Sequence, residues 1–168
     1  MNFRIVLSCL IFFLSAAIAN AEMLSRATGQ ILLTVSGNIS AKNTVDSAVF
    51  DMKMLQNMPR TKIETTTIWT DGKQTFSGVS LHEFVDRLDM KGSSVIASAI
   101  NDYHVEIPLS DAIAGGPIIA FSRNGAPMLR RDKGPLWIIY PFDSKLEYKS
   151  ETIYSRSIWQ LDRIEVVD

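Results

Sequence analysis

Short β-branched and apolar runs, each cut off by Gly, Asn, Asp or Pro, recur along most of this chain. They constrain its fold more than any other feature. Residues 30–39, 62–70, 95–100, 104–109, 117–122, 136–140 and 157–167 all have this character and read as strands. Asp71-Gly72, Asn101-Asp102-Tyr103 and Asn124-Gly125 supply turn signals between or within them. Only two segments have helical spacing. In residues 44–58, Val45, Ala48, Val49, Met52 and Leu55 recur at intervals of three and four before Pro59, and in residues 81–88, Leu81, Phe84, Val85 and Leu88 share a face behind a Ser80-x-x-Glu83 helix start. A doubly wound parallel sheet needs a helical crossover between successive strands, and the chain has too few. The expectation is an α+β domain with one core, mixed or antiparallel sheets and a few short helices.

The N-terminal segment has a different purpose. Arg4 precedes an apolar run over residues 5–18 that ends in Ala19-Asn20-Ala21, the pattern of a secretory signal peptide cleaved before Glu22. The run falls short of the ~20 residues a membrane span needs. Residues 1–21 are therefore expected to be removed, leaving residues 22–168 as one soluble periplasmic domain. Cleavage also takes away Cys9, the chain's single cysteine, so the exported domain is expected to have no disulfide, thiolate nucleophile or cysteine-bound metal. The composition, 46% hydrophobic and 21% charged, is that of an ordinary globular domain. A formal net charge of −1 lacks the basic footprint of a nucleic-acid or anionic-membrane binder.

Familiar catalytic constellations are missing. His82 and His104 have no second His or Cys at metal-ligand spacing, no Gly-x-Ser-x-Gly elbow is present, and no glycine group opens a helix as a phosphate cradle. What remains is a polar and aromatic cluster on loops: Asn101-Asp102-Tyr103, Arg123-Asn124-Gly125, and Arg130-Arg131-Asp132-Lys133 running on to Trp137. These residue types suit a flat polar heterocycle, which needs an aromatic face for stacking and carboxylates or guanidiniums at its edges. They equally suit a solvated loop with Trp137 in the core and Asp102 in a turn.

The order of several short words resembles the molybdopterin-binding domain of the sulfite oxidase family. They are Phe76-Ser77-Gly78-Val79-Ser80-Leu81, Asn101-Asp102-Tyr103 leading to Ile107-Pro108-Leu109-Ser110-Asp111-Ala112, Asn124-Gly125-Ala126-Pro127-Met128, Gly134-Pro135-Leu136, Pro141 and a terminal run from Trp159 to Val166. That family fixes molybdenum with a cysteine on the strand before the Gly-Val-x-Leu word, where this chain reads Thr65-Thr66-Thr67-Ile68-Trp69. A threonine hydroxyl has neither the softness nor the ionisation to replace a thiolate on molybdenum. Trp137 also stands where the enzymes more often carry a basic residue.

Both departures resemble the small periplasmic pterin-binding regulators of this fold, the PruR type. The resemblance implies a non-enzymatic protein that binds a reduced pterin, such as a tetrahydropterin, without molybdenum. It further implies relay to the periplasmic sensor domain of an inner-membrane diguanylate cyclase or phosphodiesterase, in cyclic-di-GMP signalling. On that reading Trp137 is expected to stack on the pterin, with Trp69 and Trp159 as weaker candidates. Asp102, beside Asn101 and Tyr103, is expected to accept from the amino-pyrimidine edge, and Arg130 and Arg131 to reach the opposite edge. Lys133 is expected on the rim facing the partner. The alternative is a periplasmic molybdopterin-dependent oxidoreductase, or a subunit of one.

Overall fold

The computed structural model describes residues 24–168, so the expected signal peptide lies outside the described residues. Ten strands form two five-stranded sheets. The first runs in the order β2 (Ala48–Asp51), β1 (Ile31–Gly37), β10 (Leu161–Val167), β5 (Ser94–Ala99) and β6 (His104–Pro108). The second runs β3 (Arg60–Thr67), β4 (Thr70–Ser80), β7 (Ile118–Arg123) and β8 (Ala126–Pro127), with β9 (Trp137–Ile139) also paired to β7. Among the described residues only β1 and β10 pair in parallel, and the other strand pairs are antiparallel. The α+β architecture with mixed and antiparallel sheets is thus the one expected. Among the described residues no helix is long and apolar enough to cross a membrane.

Period-two alternation explains the layers. Leu33 and Val35 of β1, Val95 and Ala97 of β5, and Ile164 and Val166 of β10 turn to one cluster, where Val79, Ile119, Phe121 and Ile138 of the second sheet meet them. Helix α2 (Leu81–Leu88) adds Leu81, Phe84 and Leu88 to that cluster. The intervening residues of the second sheet, Phe76, Ile118, Ala120, Trp137 and Ile139, make a second cluster with Ile63 and Met128. The central strands of this sheet, β7 and β9, are buried on both faces. Trp69 packs against both clusters. At Gly78 the strands approach so closely that a Cβ would collide with the Ile119 carbonyl, which is why glycine stands there.

Four local expectations are corrected. Residues 44–58 do not form one helix: residues 48–51 are β2, with Ala48 and Phe50 buried, and α1 covers only Met52–Asn57. Asp51 sets this boundary. Its buried carboxylate accepts N–H bonds from Met54 as the helix cap and from Thr28 and Gly29, at 2.8–2.9 Å, and these hold its pKa below the ordinary value. The β3–β4 hairpin turns at Ile68-Trp69, between the paired Thr67 and Thr70, and Asp71-Gly72 lie within β4. Helix α2 starts at the expected place, but Ser80 makes no side-chain cap bond and ends β4 instead. Finally, β10 begins at Leu161, and the stretch before it contains an unanticipated helix, α3 (Glu151–Arg156), capped by Ser150.

Candidate ligand-binding site

A cavity of about 440 Å³ opens on the surface of the domain, within the range typical of small-molecule sites. Three separate segments wall it. Trp69 comes from the tip of the β3–β4 hairpin, Asn101 and Tyr103 from the β5–β6 turn, and Tyr154, Ser155 and Trp159 from α3 and the chain that follows it. The rings are already organised. Trp69 makes edge contacts with Trp159 at 5.6 Å, with Tyr154 at 5.9 Å, with Trp137 at 5.6 Å and with Phe142 at 6.2 Å between centroids. Such edge-to-face pairs hold each other's orientation, so the cavity has a preset aromatic lining. Tyr103, 52% exposed, and Trp159, 37% exposed, leave ring surface free for a ligand.

The turn that presents Asn101 and Tyr103 is built by Asn101 itself, whose Oδ1 accepts the Tyr103 N–H at 3.3 Å. Asp102 takes the left-handed position between them, with φ of 65°, a conformation Asn and Asp tolerate. It does not line the cavity, and its carboxylate meets the Arg163 guanidinium at 2.7 Å on an exposed surface. On this turn the polar side chain lining the cavity is Asn101, whose carboxamide carries a donor and an acceptor, the Oδ1 already accepting the Tyr103 N–H.

Helix α3 is tied to the body of the domain by a polar network. Asp111 Oδ2 accepts from the Tyr140 hydroxyl at 2.7 Å and from Arg156 Nη1 at 2.9 Å. Burial and the neighbouring Asp111 carboxylate push the Tyr140 phenol well above its ordinary range, so it stays a donor. Ser157, at the end of α3, offers its carbonyl to Trp137 Nε1 at 2.9 Å.

Of the residues expected to form the site, Trp69, Asn101 and Tyr103 line the cavity, and so does Trp159. Trp137 does not. It is 0% exposed, with its ring against Phe76 at 5.5 Å and Trp69, and its indole N–H spent on Ser157. The expected stacking face is therefore closed by core packing, and Trp137 acts as a backing layer for Trp69 and Trp159. Asp102 is not among the lining residues, and its carboxylate pairs with Arg163. Arg130 and Arg131 occupy a 3-10 turn, Arg130–Asp132, outside the cavity lining; Arg131 lies 3.7 Å from Asp132, and Arg130 contributes its carbonyl to Gln160. The next residue, Lys133, is the basic group nearest the rings, with Nζ 3.8 Å from the Trp159 ring centroid. Tyr154 and Ser155 were missed because α3 was missed. Its signal was present in Ser150-Glu151, a cap followed by an acid in the first turn.

The threonines 65–67, which the sequence resemblance sets where a molybdenum-binding cysteine is expected, do not fit that metal. Thr65 Oγ1 accepts the Asp143 N–H, Thr66 Oγ1 donates to Asp143 Oδ1 and Thr67 Oγ1 pairs with Thr70, so each hydroxyl has a structural partner. Among the described residues no three His, Cys, Asp or Glu side chains gather as a metal site. An alcohol is also a poor ligand for a metal that favours thiolate.

No family model matches the chain, and no curated protein does. Among solved structures, the sulfane dehydrogenase SoxCD of Paracoccus pantotrophus superimposes with a TM-score of 0.60 at 18% sequence identity. The match covers 81% of this chain and 38% of the other, so this chain corresponds to well under half of that protein. At that identity the likeness is one of fold. The domain has a sulfite oxidase-like α+β fold.

Proposed function

We propose that this protein is an exported, non-enzymatic binder of a reduced pterin, and that the pterin enters the cavity between Trp69, Trp159, Tyr103 and Tyr154. The observation that carries this reading is the lining: preset aromatic rings with the Asn101 carboxamide at one edge, in about 440 Å³. A flat bicyclic ring with amide-like edges matches that combination of stacking surface and paired donor and acceptor. The threonines in place of the metal-binding cysteine support binding without molybdenum catalysis. Relay to the periplasmic sensor domain of a membrane cyclic-di-GMP enzyme rests on the sequence resemblance to pterin-binding regulators. The exposed rim around Tyr103 and Trp159 is where bound ligand would alter the surface such a partner meets.

The test is anaerobic calorimetric titration of the exported domain with a tetrahydropterin. Saturable one-to-one binding is expected. Ring stacking is worth ~1–3 kcal/mol on truncation, so Trp159→Ala should weaken binding roughly tenfold to a hundredfold. Absence of saturable binding overturns the reading. Stoichiometric molybdenum in protein purified from its native host would favour the rival reading, a molybdopterin-dependent oxidoreductase, in its place.

A further inference from the structure

A cavity walled by tryptophan and tyrosine rings is, on ring electrostatics alone, a site for cations. Aromatic faces carry negative potential, and cages of this kind hold quaternary ammonium groups. Here one such face is already taken. The Lys133 ammonium lies 3.8 Å from the centroid of Trp159 and 5.6 Å from that of Trp137. We infer that this cavity selects a flat heterocycle bearing a negative charge over a cationic one, and that Lys133, seated over the Trp159 ring and outside the cavity lining, sets the selection. The inference rests on the pterin-type reading of the cavity and narrows it to an acidic member, with a carboxylate or phosphate substituent.

Three features support it. First, the charge is held in place. Lys133 takes a left-handed backbone conformation, φ 71°, and its carbonyl accepts the N–H of Gln160 at 3.1 Å. Gln160 directly follows Trp159, so the ammonium and the indole are fixed on adjoining stretches of backbone. Second, the charge is uncompensated. No carboxylate forms an ion pair with Lys133 among the described residues, and the nearby Asp132 faces Arg131. Burial and the positive charge of Arg123 both pull the Lys133 pKa down, as expected of an ammonium lacking an anionic partner. Third, the cavity wall contains no aspartate or glutamate to favour a cation.

The sign of the effect follows. A ring stacked against Trp159 brings its substituents within about 6–9 Å of the ammonium, taken as the lysine distance plus a stacking separation. At the effective dielectric of a partly buried site, one unit charge at that range shifts affinity by about tenfold or more, upward for an anion and downward for a cation.

The experiment compares three rings of similar size by calorimetry: pterin-6-carboxylate, neutral 6-hydroxymethylpterin and 1-methylquinolinium. Wild type is expected to bind the carboxylate about tenfold more tightly than the neutral pterin and the quinolinium most weakly, with the preference shrinking as salt is added. Lys133→Gln should bring the carboxylate and neutral affinities together, while Lys133→Arg, which keeps the charge, should retain the wild-type order. Equal carboxylate-to-neutral ratios in wild type and Lys133→Gln, or a quinolinium preference in wild type, overturn the inference while leaving ring binding intact. Failure of all three rings and of a tetrahydropterin to bind removes the cavity reading itself, and the inference with it.

Discussion

Replacing Trp137 by alanine separates the two roles a tryptophan beside a cavity can have. If it is the stacking platform, truncation weakens ligand binding and leaves the fold intact. If it is the backing layer, truncation costs stability first. The structure places it fully buried, in edge contact with Phe76, Trp69 and Trp159 at 5.5, 5.6 and 6.4 Å, with its N–H on the Ser157 carbonyl at 2.9 Å. Truncating a core tryptophan costs about 3–5 kcal/mol, a figure that already includes cavity formation. Ser157 is itself 1% exposed, so its carbonyl loses a partner that water cannot readily replace. Against a domain stability of about 5–15 kcal/mol this is a large share. Urea unfolding followed by circular dichroism should show Trp137→Ala shifted to a much lower midpoint. Trp137→Phe, which keeps most of the ring and loses the donor, should lose about 1–3 kcal/mol. A Trp137→Ala protein that unfolds at the wild-type midpoint yet binds pterin tenfold more weakly would refute this reasoning and restore the stacking role.

Two further outcomes follow from the polar ties around the site. Asp111→Asn removes the charge that Tyr140 and Arg156 share, at 2.7 and 2.9 Å; it should cost about 1–3 kcal/mol and speed amide exchange in α3, and unchanged exchange there would remove Asp111 as the anchor of that wall. Asp143 accepts from Lys149 Nζ, the Thr66 N–H and the Thr66 hydroxyl, with the lysine first in effect, and together they hold its carboxyl below the ordinary value. A carboxylate depressed in the folded state stabilises the fold above its unfolded pKa, and that contribution fades as pH falls through the folded one. Wild type should therefore lose its advantage over Asp143→Asn below about pH 4, and a gap in melting temperature that stays constant from pH 7 to about pH 2 would contradict the assignment.

Most strands were legible because their alternation is enforced by burial, and two errors show what overrides local pattern. Residues 45, 48, 49, 52 and 55 fit a helical stripe, yet Val45 is 90% exposed while Ala48 and Phe50 are buried, which is the two-residue period of a strand. The deciding group is Asp51, whose carboxylate gathers N–H groups from Thr28 and Gly29, distant in sequence, and so fixes where the helix can start. Asp71-Gly72 is a stronger turn dipeptide than Ile68-Trp69. A two-residue turn there would set Ile63 opposite Ser80; the observed register sets it opposite Phe76, in the second core cluster. Packing across the sheet outweighs the turn preference.

The site was legible in part for the same reason. Asn101 and Tyr103 stand out because a turn between two strands has nothing to bury and can present polar and aromatic groups to solvent or a ligand. Trp137 misleads because a tryptophan at a strand start has the same chemistry in a core as in a pocket. Its neighbours carry the distinction: Trp137, Ile138 and Ile139 form an unbroken apolar run, the pattern of a strand covered on both faces. Alternate residues of the neighbouring β7 show that the centre of this sheet has no free face, since Ile119 and Phe121 join one cluster while Ile118 and Ala120 join the other. A ring on such a strand is enclosed whichever way it points. The available aromatic surface must then come from hairpin tips and chain crossings, which is where Trp69, Tyr103 and Trp159 lie.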